Sequence, residues 1–203
     1  AVALHGPLAA LTGVDRRRVT AAGTRRRWKP GATLDPGGHV ILTGWIGIQV
    51  DTPDGNTAIL DLAGPGELIT RTPTAGAAVA VGPLDTWTLP TQLVTALQAQ
   101  QPGFARAVTT GRQARQVRLR EALTDALFAS VDQRVLRRLV TLCDLAPGTV
   151  TLRLSQDEIA ALAGCTRPTA NRVLRRAETA GVLHLARRRI DIPNLEALRR
   201  HAM

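Results

Sequence analysis

Between residues 154 and 181 the chain is punctuated so closely that one local architecture accommodates it: two short helices joined by a sharp turn. Ser155-Gln156-Asp157-Glu158 has the form of a capping box. Ser155 accepts from the amide of Glu158, and Glu158 reaches back to the amide of Ser155. A helix from Gln156 to about Ala163 follows. Gly164 takes the backbone conformation that other residues resist, which makes the turn. Thr166 caps a second helix, with Pro168 in its first turn, where a missing amide proton costs nothing. That helix runs to about Ala180, and Gly181 stops it. Ile159 and Ala163 face inward from the first helix, and Ala160 is small where the two cross. Cys165 is buried beyond the turn, and Ala170, Val173 and Leu174 form the inner face of the second helix.

The outer face of that second helix carries Arg167, Thr169, Asn171, Arg172, Arg175 and Arg176. Such a helix has the size and chemistry to enter a major groove and read base edges. An arginine-rich face is more often simply solvated. Against that plain reading stands the joint occurrence, in order, of capping box, turn glycine, small crossing residue and basic face. Downstream, Val182–Leu185 and Arg189–Ile192 alternate around Ala186-Arg187-Arg188, which predicts a wing with Arg188 at a tip suited to phosphate. Asn194–His201 reads as a short terminal helix.

The charge is distributed in the same sense. The 203 residues carry a net charge of +10, and Lys29 is the only lysine. Residues 1–89 hold a net +1, residues 90–129 a net +3 and residues 130–203 a net +6. The positive field therefore grows toward the end where a polyanion would dock. Cys143 and Cys165 form no Cys-x-x-Cys pair, and the histidines His5, His39, His184 and His201 have no helical ligand spacing. Metal, cofactor and catalytic triad all lack a pattern, so no enzyme is implied. No apolar run approaches the roughly 18–20 residues of a membrane span, and Ala1–His5 does not read as the start of a signal peptide. The expectation is a cytoplasmic protein with free thiols.

Upstream, turn residues recur at Lys29-Pro30-Gly31, Asp35-Pro36-Gly37-Gly38, Gly44, Pro53-Asp54-Gly55-Asn56 and Gly64-Pro65-Gly66. Short runs lie between them, at Val40–Thr43, Ile46–Val50 and Thr57–Leu62. This predicts a small barrel or sandwich with a hairpin at Pro53–Asn56. A strand pair at about Ala77–Val81 and Leu84–Leu89 would close the sheet. The texture changes at Pro90. Residues 91–99 favour a short helix, Gln101-Pro102-Gly103 breaks it, and Phe104–Phe128 has helical spacing. Its seam suggests either packing on its own domain or pairing with a second copy, through Val108, Leu119, Leu123 and Leu127. Residues 131–145 form another helix, and Val150–Leu154 a short strand. Three regions result: 1–90, 91–130 and 131–203.

The stretch Leu154-Ser155-Gln156-Asp157-Glu158-Ile159-Ala160, followed by Gly164-Cys165-Thr166-Arg167-Pro168-Thr169-Ala170-Asn171-Arg172-Val173-Leu174, resembles the Crp/Fnr family of bacterial transcription regulators. The resemblance extends weakly over nearly the whole chain. It implies an α+β fold: a shortened, cyclic-nucleotide-binding-like β-roll, a long dimerisation helix and a winged helix-turn-helix. By position, Arg167 and Arg172 match arginines that read guanine, while Ser155, Thr166 and Thr169 match phosphate contacts. Pro168 stands where the family often has a base-reading glutamate, and Asn171 is suited to adenine instead. The resemblance implies a homodimer on a pseudo-palindromic double-stranded DNA site, with RNA polymerase as a further partner. Cyclic-nucleotide binders of the family hold the phosphate with an arginine next to Ser or Thr. Here Thr72–Ala78 contains no cation, and Arg71 precedes the expected position. Independence from cyclic AMP is therefore expected. The alternative is a winged-helix protein that acts through a protein partner, or through another small effector at the β-roll.

Overall fold

A computed structural model describes residues 6–51, 55, 57–70, 76–148 and 150–203. A 3-10 turn (Gly6–Ala10) and helix α1 (Gly13–Ala22) precede the sheet strands β1 (Thr24–Trp28), β2 (Gly38–Asp51), β3 (Thr57–Ala63), β4 (Leu68–Thr70) and β5 (Ala77–Leu89). Helices α2 (Thr91–Gln100), α3 (Pro102–Phe128) and α4 (Val131–Leu145) follow. The chain then runs through β6 (Thr151–Leu152), α5 (Gln156–Ala163), α6 (Arg167–Thr179), β7 (His184–Ala186), β8 (Arg189–Asp191) and α7 (Leu195–His201). This is the expected α+β architecture. No described helix is long and apolar enough to cross a membrane.

The large sheet is antiparallel throughout, in the order β1-β5-β2-β3, with β4 also on β2. Two expectations are corrected here. Val40–Thr43 and Ile46–Val50 are halves of one strand, β2, and Ala77–Val81 and Leu84–Leu89 are halves of one strand, β5, rather than a pair. The two strands bend together at Gly44 (φ 82°) and Gly82 (φ 70°), where their register shifts. The extra residues leave pairing intact on both sides and turn the sheet over its own face. Of the expected Pro53–Asn56 hairpin, only Gly55 lies within the described residues. The strands it joins pair antiparallel, Asp51 opposite Thr57.

Inside the roll, His39 is 1 % exposed. Its Nε2 donates to the Asp35 carbonyl (2.9 Å), so its Nδ1 accepts from the Thr88 hydroxyl (3.2 Å). Thr88 in turn accepts from Thr86 (3.1 Å), and Thr86 from the Trp28 indole (2.9 Å). Every member of this buried chain is satisfied by a neutral imidazole. Burial holds the His39 pKa below its ordinary value. As pH falls below about 6.5 the unfolded chain takes up this proton first, so stability present at neutral pH is lost on acidification. Melting temperatures measured between pH 7.5 and 5 should fall more steeply for the wild type than for His39→Gln. Parallel curves would show that His39 does not carry the acid sensitivity.

The start of α3 closes one end of the roll. Phe104 and Val108 pack with Leu8, Leu11, Val94 and Leu97. Val108 is only 4 % exposed, so its assignment to the dimer contact is corrected: it belongs to its own protomer's core. Another apolar cluster ignores the boundary expected at residue 130. Trp45, Leu62 and Val81 of the sheet share a core with α4, α5 and α6. The Trp45 indole donates to the Leu142 carbonyl at 3.2 Å.

Candidate nucleic-acid interface

Each element of the C-terminal part starts on a local instruction. Ser130 and Gln133 make a capping box that opens α4, a signal readable in the sequence but missed there. Ser155 and Glu158 make the expected box on α5, and Gly164 ends that helix in the left-handed conformation (φ 59°). Thr166 caps α6 by accepting from the Thr169 amide, with Pro168 in the first turn. Arg134 of α4 donates to the Ala163 carbonyl at 3.1 Å and the Gly164 carbonyl at 3.4 Å, which ties α4 to the turn between α5 and α6. Strands β6, β8 and β7 form the small sheet, with Leu185 opposite Ile190.

The wing turn consists of Arg187 and Arg188, and Arg188 has φ 54°. Glu178 of α6 accepts from the Leu185 amide (2.8 Å) and from Arg175 (2.7 Å), which clamps the wing to the second helix. That backbone bond, and then Arg175, hold the Glu178 carboxyl below the usual range. Between α6 and the wing lies an open groove of about 540 Å³. Arg167, Arg175, Arg187, Arg188 and Arg189 line it.

Arg167, Arg172, Arg175 and Arg176 point their side chains outward at 61–68 % exposure, as the sequence pattern requires. Each sits beside a carboxylate: Arg167 is 3.7 Å from Asp157, Arg172 is 4.0 Å from Asp132, and Arg176 is 3.0 Å from Asp132. Arg188 at the wing tip is 4.0 Å from Glu158. Thr166 is exposed and Thr169 half-buried, their hydroxyls 3.0 Å apart.

Two expected contacts are less free than the sequence suggests. The Ser155 hydroxyl is half-buried and donates to Glu158 at 2.8 Å, so its proton serves the cap. Asn171 is half-buried, and its Oδ1 accepts from Gln156 at 2.7 Å. Reading adenine would mean exchanging that bond. The sequence reading also missed Glu158's second task. Its other oxygen accepts from the Gly82 amide of the large sheet at 2.7 Å, which joins the capping box to the β5 bend. Cys143 is buried and Cys165 half-buried, both free. Burial pushes the Cys143 thiol up to about 11 and raises Cys165 as well, so neither is poised as a nucleophile.

Residues 133–201 match the family model described as a Crp-like helix-turn-helix domain. A curated CRP-like cAMP-activated global transcriptional regulator of Mycobacterium tuberculosis is 26 % identical over 177 residues, covering 81 % of this chain and 79 % of that one. The chain is thus similar to Crp/Fnr regulators, with a Crp-like helix-turn-helix domain over residues 133–201. Solved Crp/Fnr structures share its fold along most of its length. FixK2 of Bradyrhizobium japonicum superposes with a TM-score of 0.71 at 16 % identity, covering 88 % of this chain and 96 % of FixK2. The c-di-GMP responsive global regulator CLP of Xanthomonas campestris gives 0.65 at 20 % identity, covering 89 % and 98 %. At these identities the likeness is one of fold. The chain is a Crp-like transcription regulator with a helix-turn-helix DNA-binding domain. The α5–turn–α6 unit and the wing are the parts of that domain with an outward basic face.

Proposed function

We propose that the protein regulates transcription in the cytoplasm as a two-fold dimer that binds a pseudo-palindromic operator without cyclic AMP, with RNA polymerase as the machinery it acts on. The observation that carries the reading is the outward face of α6. There Arg167 and Arg172 project from a helix whose start, turn and wing contact are each locked by named hydrogen bonds. Arg167 and Arg172 read guanine. Thr166, Thr169, Arg175 and Arg188 bind phosphate, with Ser155 and Asn171 as secondary contacts. Leu119, Leu123 and Leu127, at 43 %, 59 % and 66 % exposure, form the apolar part of the dimer seam on α3.

Nucleotide independence rests on charge. Arg71 and residues 72–75 of the cation-free segment lie outside the described residues. Where α3 faces the sheet, Arg115 is paired with Asp61, and Arg118 with Glu67 at 2.7 Å, all four side chains at most 22 % exposed. These two guanidinium groups are thus already neutralised by the chain's own carboxylates. A buried cyclic phosphate needs a positioned cation of its own.

Binding-site selection with the purified protein tests the whole reading. A palindromic consensus containing guanine is expected, with unchanged affinity when cyclic AMP or cyclic GMP is added. Arg167→Ala and Arg172→Ala should each lose specific affinity by roughly 1–3 kcal/mol and relax one base position. Non-operator binding should survive in both. Wild-type operator affinity in both variants would remove α6 from the groove. A large gain in DNA affinity with micromolar cyclic nucleotide would overturn the independence.

A further inference from the structure

Asp132 lies in the first turn of α4, 40 residues upstream of Arg172. Among the described residues it is the one carboxylate that two side chains of the recognition face share. Its Oδ2 accepts from Arg176 Nη1 at 3.0 Å, and its Oδ1 is 4.0 Å from Arg172 Nη2. The placement is built in. The Ser130–Gln133 capping box sets the start of α4 on one side of Asp132, and Arg134 pins that turn to the Ala163 and Gly164 carbonyls on the other. Arg172 and Arg176 are one helical turn apart, so both reach the same point. With side chains 40 %, 61 % and 68 % exposed, the ion pairs are weak enough to exchange.

We infer that Asp132 is a specificity-determining residue: it serves as the shared counter-ion of Arg172 and Arg176 and penalises phosphate contacts at these positions while leaving guanine contacts open. The chemistry lies in the difference between the two ligands. A phosphodiester is an anion, so drawing either arginine onto it sets carboxylate and phosphate against each other, or leaves Asp132 unpaired. The edge of guanine is a neutral pair of acceptors. A guanidinium has five donors in one plane, so Arg172 can bind O6 and N7 along one edge while Asp132 keeps the other. All DNA presents phosphate at the groove edge, whereas only the operator presents guanine in the right place. The carboxylate therefore costs affinity mainly off-site. This rests on Arg172 being a guanine reader.

The test compares Asp132→Asn with wild type on the selected operator and on a scrambled duplex of equal length, across a salt series. The scrambled duplex should bind roughly threefold to tenfold more tightly to the variant, with a log–log salt slope steeper by about one phosphate's worth. Operator affinity should change by less than about twofold, so the specificity ratio falls. Asp132→Ser, a second neutral residue suited to a helix start, should repeat the result, and a thermal melt confirms that both variants fold. Unchanged off-site affinity and salt slope in both variants would overturn the inference, as would equal losses on the two duplexes. Arg172→Ala on the operator is the separating control. If it binds like wild type, the guanine reading itself fails. If it loses affinity while the Asp132 variants keep the wild-type slope, only the role of Asp132 fails.

Discussion

Replacing Leu119 and Leu123 together with glutamate is expected to give a folded monomer that binds the operator roughly 100-fold more weakly or worse. The two leucines lie one turn apart on α3 and are exposed, so the substitution removes no core contact. In a two-fold dimer it places four carboxylates along one seam, where apolar contact would otherwise form. A dimer engages two half-sites about one helical turn apart, on the order of 34 Å. A monomer keeps one half-site and loses the effective concentration of the second. Sedimentation velocity and operator titration on the same sample check both halves of the statement. A wild-type protein that sediments as a monomer and holds a single half-site tightly would dispose of the dimer.

The second large effect concerns Trp45. It sits on β2 immediately after the Gly44 bend, is 5 % exposed, and packs among residues of the DNA-binding part with its indole bonded to the Leu142 carbonyl. Trp45→Ala should cost roughly 3–5 kcal/mol through the cavity and the orphaned carbonyl. For a chain of this size that is a fall in melting temperature on the order of 10 °C. Because sheet and winged helix share this core, the loss should appear in one common transition by calorimetry. Trp45→Phe should lie between the two. If the alanine variant melts within about 2 °C of wild type, the shared core does not hold the two parts together.

What the sequence displayed and what it hid follow from the range of the interactions involved. Helices α5 and α6 were legible nearly to the residue, because a capping box, a left-handed glycine and a proline in a first turn act over four residues. The bends at Gly44 and Gly82 were not. Whether a glycine turns a strand back or lets it continue at an angle depends on the strand paired with it, and β5 is contributed from some 40 residues downstream of Gly44. Helix α1 left no periodic trace because it buries a single residue, Val19, whose carbonyl accepts from the Trp87 indole at 3.3 Å. At the candidate interface, the arginines were visible as a face, but their partners Asp132 and Asp157 come from other helices and could be found only in three dimensions.

Helix α3 carries two stripes, not one. Phe104, Val108, Gly111, Arg115, Arg118, Ala122 and Asp125 follow a spacing of three and four, and all are buried or half-buried against their own protomer. The neighbouring positions Thr109, Arg112, Gln116, Leu119, Leu123 and Ala126 repeat the same spacing one residue later and all face solvent. One residue of helix is about 100° of rotation. Inserting or deleting a single amino acid near Gly111 would therefore turn every later side chain onto the wrong face. A deletion would put Gln116 and Leu119 into the arginine sites beside Asp61 and Glu67 and Arg120 into the seam; an insertion would put Ala114 and Val117 into those sites and Arg118 into the seam. Surface loops accept length changes easily, but here the count of residues between Val108 and Leu119 is itself part of the fold. Among related chains, changes in length should accumulate in the turns of the β-roll and be excluded from this stretch of helix.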